Sequence, residues 1–284
     1  MPKRENTKRF AKTIPEKYSE ALSGQGHGVV AGTGGARFAG YRQREDKTIS
    51  SQLLESSFGC GDPVAFSEIQ PGQTVLDLGS GAGLDLLLAA EKVGPQGKVI
   101  GVDLSEAMLE RARHNAKAAG HANIELRQGA IESLPVQSES VDWIISNCVI
   151  NLSPHKQQVF AEIARVLRPG GRVLISDIVA QDLPFWVRRS GVLTVACVAG
   201  AIPERDYLAG LRAAGLPDAV ILARMSYSPS QMADVVINAL PSSTRCVHRY
   251  LRPLLRWLAK PVAQRLWSVR VAATRAPAAR NRDE

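Results

Sequence analysis

From about Gln73 the chain alternates short apolar runs with stretches whose apolar residues recur every three to four positions, the spacing of βαβ units. The pattern predicts strands over Thr74–Leu78, Lys98–Asp103, Asn123–Gln128, Val141–Ser146 and Arg172–Asp177. Between them it predicts a helix reaching Ala90, a helix Glu106–Ala119 capped by Ser105, and a helix Pro154–Leu167. Arg168-Pro169-Gly170-Gly171 reads as a turn feeding the fifth strand. Helices are expected near Pro184–Ala196 and from Pro203, where proline suits the first helical position. Ala219–Arg224 and Leu266–Ala273 are late strands separated by a long helical stretch. This alternation implies a mainly parallel sheet with helices on both faces.

The division expected along the chain is a 1–59 extension, a 60–226 core, a 227–264 basic helical insertion, and a 265–284 last strand and tail. Residues 24–40 contain seven glycines and no phosphate-loop lysine follows them, so they read as a flexible segment or a lid. No stretch has the apolar length of a membrane span, and the polar N-terminus lacks a signal-peptide core, which makes the cytoplasm the expected compartment.

The 284 residues carry a formal charge of +8 from 35 Lys+Arg against 27 Asp+Glu. Residues 243–284 hold ten basic and two acidic side chains, so the remainder sums to zero. Arg245, Arg249, Arg252, Arg256 and Lys260 share a helical face. The simplest reading is a solvated cationic face; contact with an anionic membrane surface is the sharper one. No nucleic-acid-binding signature accompanies the charge.

Chemistry concentrates at two places. Val75-Leu76-Asp77-Leu78-Gly79-Ser80-Gly81-Ala82-Gly83 runs from a buried strand into a glycine turn, and Asp103 ends the next strand. A carboxylate there can accept hydrogen bonds from ribose hydroxyls. The dinucleotide fingerprint requires glycine where Leu84 stands. The turn instead resembles that of the Rossmann-like S-adenosylmethionine-dependent methyltransferases. The resemblance implies that Gly79, Ser80, Gly81 and Gly83, after Asp77, face the methionine moiety, and that Asp103 holds the ribose. It also implies that Leu104 and Met108 flank the adenosine, that Ile131 and Glu132 border the adenine, and that Asn147 lines the cofactor site. Ala130 replaces the acidic residue common in that superfamily.

The four cysteines are too few for a disulfide scaffold and none has C-x-x-C spacing, so zinc is not indicated. Phe58-Gly59-Cys60-Gly61, Ser146-Asn147-Cys148-Val149-Ile150-Asn151-Leu152 and Ala196-Cys197-Val198-Ala199-Gly200-Ala201 resemble the arsenite methyltransferase family, whereas Cys246 lies in the basic tail. The resemblance is dense from Phe58 through Gly215. It implies a Rossmann-like α/β fold, a doubly wound, mainly parallel sheet with a late antiparallel strand. It also implies methyl transfer from S-adenosyl-L-methionine to trivalent arsenic, in arsenic detoxification. Cys148 and Cys197 would hold the metalloid, with Cys60 as third thiolate or disulfide partner. A thiol reductant, thioredoxin or glutathione, would complete the cycle. Well-studied family members carry a further upstream cysteine, whereas residues 1–59 contain none. Two alternatives stand beside this reading. One is a methyltransferase of an organic small molecule; the other is a non-catalytic, thiol-rich metalloid-binding protein.

Overall fold

The computed structural model describes residues 62–189, 197–231, 253, 257 and 259–277. In chain order these contain β1 (Thr74–Leu78), α1 (Leu84–Val93), β2 (Lys98–Asp103), α2 (Glu106–Ala118), β3 (Ile124–Gln128) and β4 (Val141–Asn147). A 3₁₀ turn (Ile150–Leu152) follows, then α3 (Lys156–Val166), β5 (Leu167–Ala180), α4 (Phe185–Arg188), α5 (Glu204–Ala213), β6 (Val220–Ser226) and β7 (Leu266–Thr274). The seven strands form one sheet in the order β3-β2-β1-β4-β5-β7-β6. Strands β1 to β5 pair in parallel, while β7 runs antiparallel between β5 and β6.

Side chains alternate across this sheet, and the two faces bury different helices. Leu76, Leu78, Ile100, Val102, Ile144, Val173 and Ile175 share a core with Phe160 and Ile163 of α3 and Tyr207 and Leu211 of α5. Val75, Val99, Trp143, Ile145 and Leu174 pack with α1 and with Ala112 and Ala116 of α2 on the other face. Fully burying one such Leu or Ile contributes about 1.5–3 kcal/mol, so the doubly covered sheet is the main stabilising element. Gly210 lets α5 approach α3 closely, because a Cβ there would lie 2.5 Å from the Phe160 ring.

One expectation changes. The Arg168–Gly171 turn lies inside β5 as a bulge: Val141 pairs with Leu167, but Trp143 pairs with Arg172. Gly170 absorbs the irregularity at φ +77. The helix expected at Pro184–Ala196 is present as α4, and 190–196 lie outside the described residues. So do the Gly-rich segment and most of the basic insertion, including Arg245, Arg249, Arg252 and Arg256.

Candidate active site

Crossovers that place helices on both faces leave the C-terminal ends of the parallel strands open at a topological switch point. Here that point lies between β1 and β4, and the glycine turn sits there. The Gly79 and Ser80 amides both donate to the Val102 carbonyl, at 2.8 and 3.1 Å, drawing the turn over β2. Gly79 has φ +68, and a side chain there would strike Val149 at 2.4 Å. Gly81 has φ +52 and nothing within 4 Å of where a Cβ would stand, so a ligand can approach its backbone.

Asp103 closes the cradle. Its Oδ2 accepts from the Gly81 amide at 2.9 Å, and its Oδ1 from the Ser105 amide at 2.9 Å. Burial pushes its carboxyl above the usual range, against the lowering effect of the Ser105, Gly81 and Leu104 amides. Asp77, 2% exposed near the end of β1, is pushed well up by burial and then by the neighbouring Asp85 and Asp103 carboxylates. Asp85, in the first turn of α1, accepts from Asn147 Nδ2 at 3.1 Å. The edge thus gathers three carboxyl groups around an open glycine backbone, an acceptor set suited to a ligand with hydroxyls and positive charge. S-adenosylmethionine has both, so the residues present fit it.

The flanking residues lie on adjoining segments. Leu104 is exposed, Met108 is buried in α2, and Ile131 is buried in the first core. The Gly129 amide donates to the Asp103 carbonyl at 3.1 Å, which joins the 128–132 segment to β2. Glu132 accepts from Ser153 Oγ at 2.5 Å.

Cys148 stands just beyond β4, and Cys197, from the segment before α5, lies against it. Cys148 follows Asn147 directly, and its amide donates to the Ser176 carbonyl at 2.9 Å. Its sulfur is disulfide-bonded. Cys197 is a free, buried thiol whose Sγ–H donates to the Cys148 carbonyl at 2.6 Å. Cys148 and Cys197 have φ of 57° and 59°, a left-handed conformation rare for any residue with a side chain. Burial pushes the Cys197 thiol up and Asp177 adds to this, while Lys156 opposes it. Cys60 and Cys246 lie outside the described residues.

Beneath the thiols is a polar cluster that sequence reasoning missed. Asp177, fully buried in β5, accepts from Asn151 Nδ2 and the Ile178 amide, each at 2.8 Å, and from the Tyr207 hydroxyl at 3.1 Å. Lys156 Nζ donates to the Ser153 carbonyl at 2.9 Å and lies 3.6 Å from where a Gly200 side chain would begin. A single acid inside the apolar run Val173–Val179 was the available signal, since a buried charge requires partners.

Burial raises the Asp177 carboxyl to about 7, with the Ile178 amide, Lys156 and Tyr207 pulling it down. The folded protein therefore holds this proton more tightly than the unfolded chain does. Stability from this group is complete at low pH and falls as pH rises through about 7. Urea unfolding at about pH 5 and about pH 8 should show wild type losing a few kcal/mol relative to Asp177→Asn, whose amide does not ionise. Parallel profiles in the two proteins would contradict this.

The sheet order, the glycine turn and its acidic partner define a class I, Rossmann-like methyltransferase domain. A family model described as a methyltransferase domain matches residues 69–224. The chain is 46% identical over 202 residues to the arsenite methyltransferase of Halobacterium salinarum, covering 70% of this chain and 51% of that protein. It is 35% identical over 208 residues to the mouse arsenite methyltransferase, covering 69% of this chain and 52% of that one. Among solved structures, an arsenic (III) S-adenosylmethionine methyltransferase from Chlamydomonas reinhardtii matches with a TM-score of 0.65 and 32% identity, over 87% of this chain and 76% of that one. The chain belongs to the arsenite methyltransferase family. It spans about half the length of the curated relatives it matches. No helix among the described residues is long and apolar enough to cross a membrane.

Proposed function

We propose that this chain transfers the methyl group of S-adenosylmethionine to trivalent arsenic held by the Cys148 and Cys197 thiolates. The observation that supports this most is the contact between Cys197 Sγ and the Cys148 carbonyl, next to Asn147 and the acidic cradle. Soft thiolates select soft, thiophilic centres. Among the described residues no group of three or more Cys, His, Asp or Glu is placed to hold a metal ion, so a third sulfur comes from elsewhere; Cys60 is our candidate.

When bound, S-adenosylmethionine supplies a methyl group activated by its sulfonium. Asp103 orients the ribose, and the Gly79–Gly83 turn receives the methionine moiety. Cys148 and Cys197 aim the arsenic lone pair at the methyl carbon. Held there, that pair would take the methyl carbon that bound S-adenosylmethionine supplies, and the electrons of the carbon–sulfonium bond would remain with the cofactor sulfur. No base is needed, so alignment is the main catalytic requirement. Arsenic becomes formally pentavalent, and two electrons from a pair of thiols return it to the trivalent state as a disulfide forms. External thiol, thioredoxin or glutathione then reduces that disulfide. The disulfide at Cys148 must likewise be reduced before arsenic binds there.

The test is incubation of the reduced chain with arsenite, S-adenosylmethionine and thiol, followed by arsenic speciation. Mono- and dimethylated arsenic are expected, with strong dependence on added thiol. Cofactor binding without methylated arsenic would overturn the reading and favour an organic acceptor. That second reading draws on a shorter match, 36% identity over 118 residues to the demethylmenaquinone methyltransferase of Listeria welshimeri.

A further inference from the structure

The methyl donor and its spent product are nearly the same molecule. S-adenosylmethionine carries a sulfonium, S-adenosylhomocysteine a neutral thioether, and the ribose, base, ammonium and carboxylate are common to both. Shape discriminates poorly between them, whereas fixed charge in a partly desolvated site discriminates by the one unit in which they differ.

The cradle supplies such charge. Asp77 and Asp85 are 2% and 8% exposed, and Asp77 lies near enough to both Asp85 and Asp103 for each to raise its carboxyl. Neither Asp77 nor Asp103 makes an ion pair with a lysine or arginine among the described residues. Asp77 lies one residue before the end of β1, and Asp103 is occupied by the Gly81 and Ser105 amides. Asp85 comes from α1 and reaches across to the side chain of Asn147, the residue before Cys148. It is thus the carboxylate tied to the β4 edge, where the methyl group must pass to the thiol-bound substrate.

We propose that Asp85 is the specificity residue by which this site favours the cationic donor over the uncharged product. The proposal rests on the methyl-transfer reading and concerns its cofactor. Its negative charge lowers the energy of the sulfonium-bearing ligand and gives little to the thioether, so the charge lost on transfer loosens the product.

Titration calorimetry of wild type and Asp85→Asn with S-adenosylmethionine, and separately with S-adenosylhomocysteine, tests this. The asparagine keeps an oxygen for the Asn147 amide and removes the charge. Donor affinity should fall about tenfold while product affinity changes by less than about twofold. Equal losses for both ligands would overturn the proposal, because they would assign Asp85 to the shared ammonium or to the fold. No loss for either would overturn it too. Asp85→Glu should keep the wild-type ratio of the two affinities even if both weaken, and a ratio shifted as in Asp85→Asn counts against the idea. If Asp85→Asn does not fold, Asp85→Ser is measured in its place. It too must lower donor affinity more than product affinity, and equal losses reject the proposal. Failure of the methyl-transfer reading is separately visible, as a wild-type chain that binds neither ligand or binds both without methylating arsenite.

Discussion

Cys197→Ser is expected to lower arsenite methylation by about a hundredfold or more, equivalent to roughly 3 kcal/mol of lost transition-state stabilisation. The hydroxyl of serine is smaller and harder than a thiolate and is a poor ligand for a soft centre. The substitution leaves the local backbone hydrogen bonds available, and a serine hydroxyl can still donate to the Cys148 carbonyl that the Cys197 thiol engages. Fold and cofactor affinity should therefore persist while turnover disappears. Arsenic speciation alongside calorimetric cofactor binding separates the two. Full activity in both Cys197→Ser and Cys148→Ser would mean that the sulfurs only line a pocket, and thiolate coordination would be abandoned.

Gly200→Ala should be nearly as damaging for a different reason. The added Cβ would stand 2.0 Å from the Asn151 carbonyl oxygen, a backbone atom with little freedom to withdraw. Asn151 is itself pinned, since its side chain donates to Asp177 and to the Ile178 carbonyl. The strain must therefore move the turn that carries Cys197, and overpacking of this kind costs about 1–3 kcal/mol. Thermal unfolding should show a lower midpoint, and methylation should fall at least about tenfold as the thiol leaves its alignment. Gly170→Ala is the control: it has a positive φ but open space, so it should lose some stability and keep its activity. Activity retained in Gly200→Ala would show that the Cys197 turn need not be held there.

Sequence legibility follows the range of the interaction. The strands β1 to β5 were readable because each is a local apolar run, and their parallel order follows from helical crossovers. The Gly79–Gly83 turn and Asp103 were readable because the pattern lies within one βαβ unit. Arg168–Gly171 reads as a chain-reversing turn because Pro and Gly are local signals. Whether pairing resumes beyond them depends on β4, which holds β5 in register from Arg172 onward. Asp85 and Tyr207 were not singled out, since their partners lie 62 and 30 residues away, at Asn147 and Asp177. Nothing in the local pattern announces either contact. The thiols were legible only through their surroundings in family motifs; burial and backbone conformation emerged with the fold.

That backbone conformation has a further meaning. A left-handed φ at a residue with a side chain is disfavoured by roughly 1–3 kcal/mol, and glycine would relax it. The chain carries this disfavoured conformation at Cys148 and again at Cys197. At Cys197, a free thiol, glycine would relax this conformation and remove the sulfur, whereas at Cys148 it would also remove a disulfide. On the methyl-transfer reading proposed above, the two sulfurs are held in place against the grain of the scaffold. If that reading holds, relaxing the backbone by glycine substitution at Cys197 would trade a sulfur ligand for durability.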